Sequence, residues 1–61
     1  MRIDHGQKAK VVGYETKGSH GFELGQIVTF VAASEDEENT YTFKSDSDFH
    51  QDLIPMEFEL L

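Results

Sequence analysis

Sixty-one residues suffice for one small domain with a single thin core, so a fold built from separate substrate and cofactor domains is excluded. Twelve Asp and Glu against five Lys and Arg set the formal net charge at −7, which opposes direct nucleic-acid binding, because that affinity comes mainly from Lys and Arg displacing counterions from phosphates. With no cysteine the chain has no disulfide, no thiolate metal site and no thiol nucleophile, and its apolar content of 38% marks it as a folding sequence rather than a disordered tail.

Residues 1–6 precede the first apolar alternation and are expected to lie at an edge or to be disordered. No apolar run approaches the roughly 20 residues of a membrane span, and the opening MRIDHGQKAK has no apolar export segment. A cytoplasmic protein without membrane contact is therefore expected.

Residues 8–14 (KAKVVGY) lean towards a strand, with Val11 and Val12 either on opposite faces or at a bulge near Gly13. ETKGSHGFELGQ (15–26) is rich in glycine and reads as a long ordered loop, with Phe22 and Leu24 folding back onto the core. IVTFVAA (27–33) is the clearest strand. Val28, Phe30 and Ala32 share one face and Ile27, Thr29, Val31 and Ala33 the other, so two apolar faces predict a central strand. SEDEEN (34–39) is a charged hairpin tip, and TYTFK (40–44) returns with Tyr41 and Phe43 inward.

In SDSDFHQDLIP (45–55) a short helical turn is expected, capped by Asp46, Ser47 or Asp48, pinned by Phe49, Leu53 and Ile54, and closed by Pro55. MEFELL (56–61) then alternates as a last strand, Met56, Phe58 and Leu60 inward and Glu57 and Glu59 outward. About five short strands, a long loop after the first and one short helical turn before the last make the fold class all-β, a small SH3-like barrel spanning residues 1–61 as a single domain. Barrel closure removes the edges that a small flat sheet would expose.

The segment KVVGYETKGSHGFELGQIVTF, with its H-G-F-x-x-G-x-x-V core from His20 to Val28, resembles small SH3-like barrel proteins encoded by bacteriophages and prophages. The ending LIPMEFELL is similar to their last strand, and the resemblance runs from Lys8 to Leu60. It implies a barrel fold, a phage-type accessory role in a bacterial host cell and no catalytic residue. The acidic tip SEDEEN departs from that pattern, and with no Trp there is no aromatic-rich peptide groove of the eukaryotic signalling kind.

The chemical constellations are weak. His5, His20 and His50 lack ligand spacing, and His20 within G-S-H-G-F is expected to bond the loop backbone. Asp46, Asp48, His50, Asp52 and Glu57 imitate a calcium-loop rhythm, but Gln51 stands where glycine must allow the turn and Pro55 interrupts it. Runs of adjacent carboxylates describe a wet face rather than a dry acid–base cleft. Neither an enzyme, a metal site nor a cofactor is expected. The cations Arg2, Lys8, Lys10 and Lys17 give residues 1–17 a balance of +2 against Asp4 and Glu15, but no aromatics interleave them for base stacking.

What remains is protein–protein binding, in which an accessory protein modulates a host protein and is itself a monomer or a weak homodimer. The candidate partner-binding residues are His20, Phe22 and Leu24 in the loop and Glu35, Asp36, Glu37 and Glu38 at the tip, since ordered loops on a rigid barrel carry most binding residues. Two alternatives stay open. Residues 18–61 hold ten acids against Lys44 alone, so an acidic face could mimic DNA against a host nucleic-acid enzyme; the protein could also be a virion or assembly component.

Overall fold

A computed structural model describes residues 2–61; residue 1 lies outside the described residues. Five antiparallel strands form one sheet: β1 (Lys8–Val11), β2 (Ile27–Ala33), β3 (Tyr41–Lys44), β4 (His50–Leu53) and β5 (Phe58–Leu60). A 3₁₀ turn, Pro55–Glu57, leads into β5. The spatial order β4-β3-β2-β1-β5 is a four-strand meander whose last strand returns to pair with the first, the layout of an SH3-like barrel. Segment 2–7 is laid against β2 rather than loose. Gly6 N–H donates to Phe30 O at 3.1 Å, Phe30 N–H donates to Gln7 O at 2.8 Å, and Ile3 packs on the core.

Period-two alternation sorts the side chains. Ala9 and Val11 point inward from β1 while Val12 stands outside, so the adjacent valines do take opposite faces. β2 is the middle strand, as its apolar sequence predicts, and sends in Val28 and Phe30. Tyr41 and Phe43 enter from β3, Leu53 from β4, Phe58 from β5, and Phe22 from the loop. Phe43 is fully buried between Phe58 (ring centroids 4.7 Å apart) and the edge-on ring of Phe30 (5.6 Å), and it joins the two halves of the sheet.

Several expectations are corrected. The β2–β3 register slips between Phe30 and Ala32, so the bulge at Val31 places Ala32 opposite Thr42 rather than on the inner face with Phe30. Residues 45–49 form a tight turn instead of a helical one. Ser45, not Asp46, Ser47 or Asp48, supplies the cap: its Oγ accepts Phe49 N–H, its carbonyl accepts Asp48 N–H, and Asp48 adopts a φ of 63°. Phe49 is consequently exposed, and the chain runs straight into β4.

The helical turn comes later, and Pro55 opens it rather than closing it. A fixed φ and a missing N–H suit the first position of a helical turn. That turn breaks the period of two, so the expected orientations of Met56 and Glu57 are exchanged: Met56 faces solvent and Glu57 is 2% exposed. Leu60 stays partly exposed because β5 has a neighbour on one side only.

Truncating Phe43 to Ala should cost about 3–5 kcal/mol, comparable to everything a chain of this size holds, whereas Ile27→Ala on the outer face should stay within about 1 kcal/mol. Urea melts followed by far-UV circular dichroism check this. A cooperative Phe43→Ala transition near the parental midpoint would contradict the core assignment.

Candidate functional site

Residues 12–26 alternate poorly and are dense in turn formers, so nothing local holds them as a strand or helix. A loop this long on a small barrel stays ordered only if its polar backbone finds partners. Three devices supply them.

The first is Glu57, placed by the 3₁₀ turn. Glu57 N–H donates to Ile54 O at 2.8 Å, and Ile54 N–H donates back to Oε1 of Glu57 at 2.9 Å. That reciprocal pair fixes the carboxylate and aims Oε2 at the loop, where it accepts Glu15 N–H at 2.9 Å and the Ser19 hydroxyl. His20 Nε2 lies 3.8 Å from the same oxygen, and no Lys or Arg among the described residues makes an ion pair with it. Burial is the largest influence on this carboxyl and pushes its pKa up. The Ser19 hydroxyl and the amides of Glu15 and Ile54 together prevail, holding it below the ordinary glutamate value.

The second device is His20. Its Nδ1 accepts Phe22 N–H at 3.1 Å, which leaves the proton on Nε2 to donate to Gly13 O at 2.8 Å. The geometry thus assigns the neutral Nε2–H tautomer. Tyr14 stacks on the imidazole with centroids 4.3 Å apart and planes 14° apart, and its hydroxyl donates to Phe22 O. The third device is β4: Gly21 N–H donates to Oε1 of Gln51 at 3.0 Å, and Phe49 meets Phe22 edge-on at 5.9 Å. The loop then closes through a turn at 23–26, with Gln26 N–H on Glu23 O and Gly25 at a φ of 84° in the position where a type II turn demands it.

These contacts redistribute the candidate binding residues. His20 and Phe22 are buried and set the shape of the loop, so neither side chain offers a contact face. Leu24 does not fold back as expected; it crowns the 23–26 turn, 62% exposed. Glu35, Asp36, Glu37 and Glu38 are all exposed at the hairpin tip. There Ser34 Oγ accepts the amides of Asp36 and Glu37, and Asn39 takes a φ of 54°. None of the four makes an ion pair among the described residues. The two groups are not brought together: the seven residues of β2 separate Leu24 from the tip.

Glu57 also leaves the acidic surface and the calcium rhythm, since both of its oxygens are committed to internal donors. Among the described residues no pocket forms and no group of three or more His, Asp or Glu converges as a metal cage would. The cations are dispersed: Arg2 pairs with Asp4, Lys8 donates to Thr29 Oγ1, Lys10 stands opposite Glu59, and Lys17 lies on the loop. The sequence reading missed Glu57, Tyr14, Gln51 and Phe49. Only Glu57 left a signal, since Pro55 followed two residues later by Glu is the start of a capped helical turn. Comparison of the chain with protein-family models, with characterised proteins and with solved structures returns no match.

Two predictions follow from this geometry. Because Glu57 has a lower pKa folded than unfolded, the stability it contributes is complete above the unfolded value and is lost as pH falls through the folded one. Carboxyl ¹³C titration by NMR should give Glu57 a midpoint below the ordinary glutamate value; a raised midpoint would mean that burial dominates. Gly25→Ala forces a Cβ into the left-handed region and should cost about 1–2 kcal/mol. Gly21 has no such φ, and an added Cβ would crowd the rim of the Phe49 ring, at 2.9 Å, and touch the Gln51 side chain at an ordinary 3.6 Å. Gly21→Ala should therefore cost less, as the half-exposed ring swings aside, and thermal melts of the two variants rank them.

Proposed function

We propose that the protein is a non-enzymatic accessory factor of the phage type that acts in the cytoplasm of a bacterial host by binding a host protein. The observation that carries this reading is the braced loop with exposed apolar side chains around it: Tyr14 on the loop, Leu24 on its closing turn, and Phe49 beside Gly21. A loop already fixed by internal hydrogen bonds loses little conformational entropy on docking, and aromatic and aliphatic side chains on such a loop are the usual anchors of an interface. The resemblance of the His20–Val28 segment to phage-encoded barrels supports the same role.

A second reading, acidic mimicry of DNA, is favoured by one observation: Glu35, Asp36, Glu37 and Glu38 project together, all exposed and without ion pairs among the described residues. The two readings differ in salt dependence. Docking through the loop predicts an affinity for the purified host partner that is nearly flat between about 50 and 200 mM salt, is indifferent to duplex DNA, and falls at least tenfold in Leu24→Ser and Phe49→Ser. Mimicry predicts a steep salt slope, displacement by DNA, and weaker binding mainly through slower association once Glu35, Asp36, Glu37 and Glu38 are neutralised. Titration by surface plasmon resonance separates the two. Co-purification with phage particles instead of a host protein would place the chain in the virion or its assembly.

A further inference from the structure

We infer that residues 13–20 form a flap latched shut by the carboxylate of Glu57, a unit that opens locally while the sheet stays folded. This inference concerns the same loop as the binding role proposed above, but its test needs no partner. It rests on where the flap's bonds go. Ser19 N–H donates to Thr16 O, and His20 Nε2–H to Gly13 O, both within the segment. The Tyr14 hydroxyl donates to Phe22 O, and Phe22 N–H donates back to His20 Nδ1, both at the flap's own base. Among the described residues, the hydrogen bonds that reach outside the loop from 13–20 are Glu15 N–H and the Ser19 hydroxyl, and both end on Oε2 of Glu57.

Little else holds the flap down. Residues 14–19 are all exposed, and His20 is the one buried side chain in the segment. Segments with few buried apolar contacts and exposed backbone occupy the low end of the local stability range. Glu57, in contrast, belongs to the body of the fold, because Ile54 N–H holds Oε1 whether or not the flap is in place. If the flap leaves, the carboxylate gains water rather than being stranded, so opening leaves no buried unpaired charge. The base of the loop remains fixed by Gly21 N–H on Gln51 and by Phe22 in the core. The hinges are therefore Gly13 and Gly21, the glycines at either end of the segment. Opening would turn the Tyr14–His20 stack outward and uncover one side of Phe22.

Trypsin reports this directly, since Lys17 sits on the flap while Lys8, Lys10 and Lys44 sit on strands, and a cut after the exposed Arg2 removes only two residues and is told apart by mass. Glu57→Gln keeps the shape of the side chain but replaces one acceptor oxygen by a donor. Cleavage after Lys17 at neutral pH should rise roughly ten- to a hundredfold in this variant, the range expected for losing hydrogen bonds to a charged acceptor, while cuts after Lys8, Lys10 and Lys44 keep wild-type rates. Ser19→Ala, which removes one of the two bonds, should raise cleavage at the same site by a smaller factor. Intact-mass spectrometry of timed digests identifies the first cut. A folded variant in which all sites accelerate together, or in which cleavage after Lys17 is unchanged, would overturn the latch. Should Glu57→Gln lose its native circular dichroism, Ser19→Ala decides by the same two outcomes.

Discussion

A carboxylate taken out of water must be met donor by donor, and in this protein Glu57 imposes that demand on the whole long loop. Its partners Glu15 and Ser19 lie 42 and 38 residues earlier in the chain. Satisfying the charge therefore couples the loop after β1 to the 3₁₀ turn before β5, and β5 in turn pairs with β1. Without that coupling a glycine-rich segment of this length would sample many conformations. With it, the backbone of residues 13–22 has one arrangement, into which the neutral His20 fits with both ring nitrogens bonded.

The barrel divides its labour in a way that follows from size. Among the described residues nine apolar side chains, eight from the strands and Phe22 from the loop, make up the buried core. A sheet of three- to seven-residue strands has no interior left for a cavity once those side chains are in place. The two longest connections between strands differ in kind. One is cross-braced and carries exposed aromatic and aliphatic groups; the other is an acidic tip held by Ser34 and Asn39. They leave β2 at opposite ends, so a partner that engages one through its chemistry need not touch the other.

The charge distribution reads differently once the strands are in register. Of the ten acids between residues 18 and 61, Glu57 is internal, Asp48 pairs with Lys44 at 3.3 Å, and Asp52 accepts the Thr42 hydroxyl at 2.6 Å. Of the other seven, Glu35, Asp36, Glu37 and Glu38 cluster at the hairpin tip, and Glu23, Asp46 and Glu59 are exposed elsewhere. The asymmetry visible along the chain is thus partly structural, serving turns and cross-strand pairs.

Four of the five strands were legible in the sequence, because alternation of period two and glycine-rich breaks are local signals, and Val28, Phe30, Tyr41 and Phe43 obey them; β4 was not, since His50–Leu53 lies in the segment that reads as a helical turn. What the sequence left undetermined is what depends on a second segment. The bulge at Val31 exists because two strands must match register while the sheet curves, and it moved Ala32 off the inner face. The turn at Ser45 and the helical start at Pro55 exchanged places because a single serine hydroxyl closes the first within five residues, leaving 50–53 free to pair with β3. Glu57 reads as an outward strand residue until the 3₁₀ turn rotates it inward, and His20 and Phe22 read as binding residues until the loop folds over them. Sequence alone set the extended segments around Val11, Phe30, Phe43 and Phe58 and the long loop after the first of them. Tertiary structure decided which polar groups are internal, because the desolvation of a charge is repaid only by donors brought from far along the chain.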